Sequence, residues 1–479
     1  MGSIRYILLF LLLFNAYPAS GQTAHTWGRI SGIISPEDIF SIVEGKIEIG
    51  ARALGFGGSY VSVGDDYSGT FYNPASLTRV KRMEIFNTLS IYDFSNNTVF
   101  HNTVKNNDPL RSMEINSFGF LIPFSSKGKN LVLAAGINRS YNANSSASFS
   151  GINSFQTLEE QQEDVKTSGG ITEWSVSSGY TLSESFSIGI SANFLRGDIS
   201  NSFKVSSKPR GTASYPDVLQ SGDTLIVSES RDASPEMTGF NYRVGALLEL
   251  VPGFFMGISF FYPGKLMVDE RWSVNRKEVY EVVPDTFGFK TSSLSGEWRY
   301  GIKVPPSYSA SISLQIFNLL ISSTLEYTDW PKTEILEPST AIVRNSDFSQ
   351  YYRATTITRI GVEAAIERFN MRIRGGYIFN PSILKNNGSI DFVTEERIKD
   401  GPIARLRVEE EDRVFITGGV GMLFKDRLMV DVGYLTGSWV RRSIDDGIIS
   451  IKYTEGLNSR LVEEHITVNK YFISLSIRM

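Results

Sequence analysis

The stretch Ser307-Tyr308-Ser309-Ala310-Ser311-Ile312-Ser313-Leu314-Gln315-Ile316 sets a small polar side chain at each odd position and an apolar one at each even position. Successive side chains of a strand leave its opposite faces. This strand therefore has one apolar and one polar face. The same alternation carries Phe186, Ile188, Ile190, Ala192 and Phe194 against Ser187, Gly189, Ser191 and Asn193. It recurs with Thr358, Ile360, Val362, Ala364 and Ile366 against Arg359, Gly361, Glu363 and Ala365, and again with Tyr471, Ile473, Leu475 and Ile477. The runs exceed the usual ~5–6 residues of globular strands and match the roughly 9–11 residues of a tilted membrane strand.

Outward from these, the pattern predicts fourteen strands near 83–95, 114–124, 130–142, 172–182, 185–198, 238–250, 253–270, 305–316, 318–330, 352–366, 369–380, 412–424, 427–441 and 465–478. The connections alternate. Tight turns at Ser125–Lys129, Ser183-Glu184, Val251-Pro252, Phe317, Glu367-Arg368 and Lys425-Asp426 separate long links at 96–113, 143–171, 199–237, 271–304, 331–351, 381–411 and 442–464. Short periplasmic turns and long outer loops are the signature of a transmembrane antiparallel β-barrel, with both termini on the periplasmic side. Lipid forbids an open sheet edge, so the barrel closes. A soluble β-sandwich or propeller requires no such parity.

The composition agrees. The 479 residues hold 47 Lys+Arg, 51 Asp+Glu, three His and no Cys, for a net charge of −4, which excludes nucleic-acid binding through a basic field. Without Cys there is no disulfide, thiolate metal site or Cys nucleophile. His25, His101 and His465 have no Ser or Asp partner motif, so no enzyme, metal site or cofactor is expected. Arg5, the apolar run Ile7–Phe14 and the small residues Ala19-Ser20-Gly21 have the layout of a secretory signal peptide over residues 1–21. No later run of ~18 apolar residues provides a spanning helix.

Residues 22–82 do not alternate. Ser35-Pro36-Glu37-Asp38 predicts a helix start, running to about Glu44. A glycine-rich stretch follows, and then Asn73-Pro74, a second cap with proline at the first helical position. Gly55-Phe56-Gly57-Gly58 lacks the Gly-Lys-Ser/Thr of a nucleotide loop. Asp65-Asp66 reads as a helix cap or a partner for a lumen arginine rather than a metal pair. Side chains alone do not fill fourteen strands. Residues 22–82 are the right size for a partly helical hatch inside the barrel of residues 83–479.

The segment Ala51–Leu77 resembles the hatch of the FadL/TodX-like family, outer-membrane transporters of long-chain fatty acids and other hydrophobic compounds. The matching residues are Ala51, Ala53, Leu54, Gly55, Gly57, Gly58, Tyr60 and Val61, then Asp65, Asp66, Ser68, Asn73, Pro74, Ala75 and Leu77. Tyr67 replaces the family's usual Ala, and Ser76 its usual Gly. Weaker echoes are Val304-Pro305-Pro306-Ser307, Arg372-Ile373-Arg374-Gly375-Gly376-Tyr377, Gly418-Gly419-Val420-Gly421 and Asp431-Val432-Gly433-Tyr434.

The resemblance implies uptake of a fatty-acid or other hydrophobic ligand without catalysis, in the outer membrane of a Gram-negative bacterium. Membrane lipid and the barrel-assembly machinery would be its other partners. A kinked third strand would give lateral exit, with Gly136 the candidate bend. The capture surface would lie in 199–237 and 271–304, where Val218, Leu219, Leu225, Ile226, Val282, Val283 and Phe287 are apolar. A branch of the family acts instead as a protein shuttle in type IX secretion, and fold does not separate the two roles. By alternation, Arg359, Glu363, Arg372, Arg374 and Asp431 point into the lumen, where they are expected to anchor the hatch.

Overall fold

In a computed structural model, the structure describes residues 48–479 apart from 101–102, 127, 154–158, 210–223, 283–285, 337–347, 350–351, 386–407 and 445–460. The leader expected at 1–21 and the helix expected from Ser35 lie outside the described residues.

The chain forms a closed antiparallel barrel of fourteen strands. Its strands are β1 (Glu84–Phe100), β2 (Leu110–Ser126), β3 (Lys129–Asn142), β4 (Glu159–Ser183), β5 (Phe186–Pro209) and β6 (Thr224–Val251). Next come β7, in two pieces (Phe254–Tyr262 and Lys265–Val282), and β8, likewise in two (Thr286–Lys303 and Ser307–Ile316). The remainder are β9 (Leu319–Thr328), β10 (Thr355–Ile366), β11 (Met371–Asn380), β12 (Arg413–Phe424), β13 (Leu428–Ile444) and β14 (Leu461–Arg478). Each strand pairs with its sequence neighbours. The ladder from Glu84↔Arg478 to Phe100↔Val462 joins β1 to β14 and closes the barrel.

The turns explain the tight connections. Lys425 and Asp426 both have positive φ, 48° and 56°, and the Arg427 N to Phe424 carbonyl bond at 3.0 Å closes the turn before Leu428 pairs with Phe424. Asn370 takes the left-handed conformation after Glu367–Phe369. The alternation sorts the two faces. Trp174, Val176, Ile190, Phe240, Ile258 and Ile416 are exposed on the outer wall, where lipid is their natural neighbour. Ser177, Ser191, Asn193, Ser311, Ser322 and Thr417 are buried on the inner one. Among the described residues no helix is long and apolar enough to cross a membrane.

Three of the long connections read as loops are largely strand. β4, β5 and β6 run for 25, 24 and 28 residues, far beyond the roughly 9–11 that span the bilayer. Above the apolar belt the outward face turns polar, as at Ser200, Lys204 and Ser206, while Ile199, Phe203 and Val205 are buried inside, so the lipid-facing apolar row that marks a membrane strand ends although the backbone still pairs. The regions 199–237 and 271–304 are therefore mostly paired wall. Leu225 and Ile226 belong to β6, Val282 to β7 and Phe287 to β8. Val218, Leu219 and Val283 lie outside the described residues.

Candidate functional site: the hatch and the outer lumen

Residues 48–82 lie inside the barrel. Helix α1 (Ala51–Gly55), helix α2 (Gly69–Tyr72) and a 3-10 helix (Pro74–Arg79) are joined by tight turns, one of them through Gly57 and Gly58, both with φ +66°. Ala51, Leu54, Gly55, Gly57, Gly58, Asn73, Pro74, Ala75 and Leu77 are all buried. The segment meets the wall along two kinds of contact.

The first is hydrogen bonding to short polar side chains. Ala51 N donates to Ser474 Oγ at 2.8 Å, Ser191 Oγ donates to the Thr70 carbonyl at 2.8 Å, and Thr417 Oγ1 donates to the Gly55 carbonyl at 3.0 Å. The second is close approach to glycines of the wall. A Cβ on Gly245 would fall 1.8 Å from Asn73 Oδ1, one on Gly189 2.3 Å from the Pro74 carbonyl carbon, and one on Gly433 2.4 Å from the Ala51 carbonyl oxygen. Hatch backbone therefore lies directly on wall backbone.

The turn at Asn73 is fixed on three sides. Its Oδ1 accepts from Ala75 N at 3.0 Å, capping the 3-10 helix with Pro74 at its first position. Its Nδ2 donates to the Val61 carbonyl at 2.8 Å and to the Ala246 carbonyl of β6 at 3.1 Å. One side chain thus joins the cap, the preceding hatch turn and the wall.

Charge makes the strongest junction. Glu363 on β10 and Arg374 on β11 are ladder partners, and Arg374 reaches Asp431 on β13 past Gly421, where any Cβ would collide with the pair. Arg374 Nε donates to Glu363 at 2.5 Å and Nη1 to Asp431 at 2.6 Å. Arg372 Nη1 donates to the other Glu363 oxygen at 3.1 Å. From the hatch, Arg52 donates to both oxygens of Glu363, at 2.9 and 3.0 Å, and also holds Asp65. Asp66 accepts from Tyr60 Oη at 2.7 Å and from Ser68 N at 2.9 Å. Arg359 stands apart, paired with Glu326 at 2.8 Å and packed beside Gly58. The arginine that meets Asp65 therefore belongs to the hatch itself. Sequence reasoning passed over Arg52 because it sits inside a motif valued for its small residues.

Burial alone would raise the Asp65 carboxyl. Arg52, Arg79, Arg372 and Arg478 together overcome that and hold it below the usual carboxylate range. Asp66 is shifted the other way, by burial first and then by the charge of Asp65.

Gly136, the candidate bend, is paired on both edges, Gly119↔Gly136 toward β2 and Gly136↔Ser175 toward β4. A Cβ there would lie 2.2 Å from Tyr67 Oη, and one on Gly119 2.1 Å from the Tyr67 ring. The two glycines make the recess that admits the hatch's tyrosine where the family usually has Ala, and Tyr67 also stacks on Phe86 at 5.3 Å. The irregularity of β3 falls later, between Arg139 and Tyr141.

Above the hatch the lumen turns apolar. Ile171, Leu195, Ile199, Met237, Val268 and Ile302 face inward from β4 to β8 and are buried. Trp330, Ile335, Phe348, Tyr352, Ile383 and Leu384, from the connections flanking β10 and β11, complete the cluster. The signal for it was present: inward-facing positions, serine and asparagine near the hatch, become large and apolar farther up the same strands. Among the described residues no group of acidic or histidine side chains has the arrangement to hold a metal.

Comparison with known proteins places this geometry. Comparison with curated proteins finds no match. The structure is similar to the P. putida toluene transporter TodX, at 12% identity, covering 90% of this chain and 99% of that one, with a TM-score of 0.54. It is similar to a Pseudomonas aeruginosa FadL homologue, at 13% identity, 89% and 97% coverage and a TM-score of 0.52. It is also similar to the CymD monoaromatic hydrocarbon channel, at 16% identity, 90% and 97% coverage and a TM-score of 0.50. At these identities the likeness is one of fold. The family model described as outer membrane protein transport protein (OMPP1/FadL/TodX) matches residues 46–444, spanning the hatch and most of the wall, and the chain belongs to that family.

Proposed function

We propose that this chain carries long-chain fatty acids or other hydrophobic small molecules inward across the outer membrane, by diffusion past a fixed hatch to a lateral exit. Residues 22–82 are read as the hatch and 83–479 as the wall. The observation that carries this reading is the apolar cluster standing in the outer lumen above the hatch. A water-filled porin lines its lumen with polar groups. Ile, Leu, Met, Tyr and Trp side chains in that place suit an apolar passenger. Two of the similar structures are described as a toluene transporter and a monoaromatic hydrocarbon channel, passengers of the same kind.

The exit is placed between β2 and β3, above Gly136. Their ladder runs from Ser126↔Lys129 only to Ser117↔Asn138. The other edge of β3 stays paired as far as Asn142↔Gly170. Past Asn138 the two strands are bridged by side chains, Arg139 to Glu114 at 2.9 Å and Asn144 to Glu114 at 2.9 Å. Side chains are easier to part than a ladder.

Native mass spectrometry of the full chain incubated with oleate, and separately with toluene, tests the reading. One bound hydrophobic molecule is expected, lost in Met237→Arg, which puts a charge in the apolar cluster. A barrel that binds neither and instead co-purifies with a secreted protein overturns it in favour of a shuttle.

A further inference from the structure

The lipid-facing side of the wall is notched between β5 and β9. Ile188, Ala246, Ile258, Ala310 and Leu325 are successive ladder partners across these five strands. The row beside it, from Ile190 through Tyr308 to Tyr327, holds nothing smaller than Val244. Both rows face outward, with Ile190, Ile258, Tyr308 and Leu325 exposed. Two alanines among large neighbours leave an open furrow of about 870 Å³, apolar almost throughout. Behind it the wall rests on the hatch. A Cβ on Gly189 or Gly245, on the inner face of the same strands, would strike Pro74 or Asn73, and this support fixes the shape of the recess.

The end of the furrow nearest the long connections is cationic. Past Tyr327, β9 leads into a 3-10 turn (Trp330–Lys332) whose exposed Lys332 lies near the Tyr308 and Tyr327 phenols. Lys303 ends the upper piece of β8, just before Tyr308, and stands opposite Lys265 on the ladder. Like charges so placed repel. Asp329 meets Lys332 at 2.8 Å and Glu334 meets Lys303 at 3.0 Å, but pairs this open to water are weak and give way to a closer anion. Tyr308 and Tyr327, with Tyr242 stacked on Tyr262 at 4.9 Å, belong to the aromatic girdle that marks the boundary of the apolar band in such barrels. The lysines therefore sit at the level of lipid headgroups, and the furrow below them opens among the tails. A recess left empty there forfeits dispersion contacts along its whole lining, and a flexible acyl tail is the neighbour that fills it.

We propose that the furrow seats an acyl tail of an anionic lipid from the leaflet on the side of the long connections, with the headgroup held by Lys303 and Lys332. This site is independent of what passes through the lumen. The test titrates the full chain in detergent micelles with dioleoyl phosphatidylglycerol or dioleoyl phosphatidylcholine and counts retained lipid by native mass spectrometry. The anionic lipid is expected to be held about tenfold more tightly than the zwitterionic one. Lys303→Gln with Lys332→Gln should bring the two lipids to the same affinity. Ala246→Leu with Ala310→Leu, which fills the recess from the lipid side, should abolish retention of both. If the filled variant fails to fold, judged by heat-modifiable mobility, the wild-type ratio and the lysine variant still decide. Equal retention of the two lipids by the wild type, a preference that survives loss of both lysines, or undiminished retention in a folded filled variant overturns the assignment. A dimer that lipid does not displace and the filled variant abolishes overturns it too, giving the furrow to a second copy of the chain.

Discussion

Arg374 has a fully buried side chain with a carboxylate on either side of it. Removing it leaves Glu363 and Asp431 facing each other with one cation fewer. A buried pair broken from one side costs roughly 3–5 kcal/mol. Arg374→Ala is therefore expected to lower the temperature at which the barrel loses its heat-modifiable band, and to raise leakage of polar dyes through proteoliposomes. Unchanged leakage in single alanine variants of Arg52, Arg372 and Arg374 would remove the hatch-anchoring role from these charges. The same junction sets a pH dependence. The Asp65 carboxyl titrates below its unfolded value of ~3.9, so the stability it contributes is complete above that pH and disappears as pH falls through its folded value. The raised carboxyl of Asp66 works in the opposite sense, favouring the folded state at low pH. Dye exclusion is accordingly expected to hold from pH 7 to pH 4 and to fail only in stronger acid. Failure already between pH 6 and 5 would contradict this.

The Asn73-Pro74-Ala75 turn is the joint between hatch and wall. Proline fixes φ near −65°, Asn73 caps the 3-10 helix and bonds the Ala246 carbonyl, and Gly189 and Gly245 let the turn lie on the sheet. The double variant Asn73→Ala with Pro74→Ala is expected to reach the membrane with normal heat-modifiable yield and to lose uptake of a hydrophobic substrate. Normal uptake at normal yield would make the turn dispensable, and collapsed yield would make it purely structural. At Gly136, substitution by Val should expel the Tyr67 ring and loosen the hatch. Tight dye exclusion in that variant would contradict the recess. At this scale the strands were legible because apolar and polar positions alternate wherever lipid covers one face. The upper halves of β4 to β8 were not, because the outward face there is polar and the buried inward face mixes Phe203 and Val205 with Glu229 and Arg231, so no lipid-facing apolar row marks the strand. Gly136 was legible as a special position but not for what it accommodates, since Tyr67 meets it only after the hatch has folded inward.

Over the whole molecule, the barrel combines a backbone-tight floor with an apolar outer lumen. The floor is tight because the wall gives up side chains, as glycine or serine, where the hatch approaches. Such a floor leaves little open path for polar solutes, and the proposed route for an apolar passenger runs from the cluster above it to a sideways exit. Topology follows from connection length: external protease on whole cells is expected to cut within 199–237 and never within 125–129. The reverse pattern would invert the barrel. The central claim is that this barrel passes hydrophobic molecules while excluding polar ones, and its most direct test is initial-rate uptake of radiolabelled oleate and toluene by cells that lack their own route. Expression of the full chain is predicted to give saturable uptake of at least one of them, with no gain in permeability to a polar dye. Uptake no faster than in cells without the chain, at confirmed outer-membrane yield, would contradict the account.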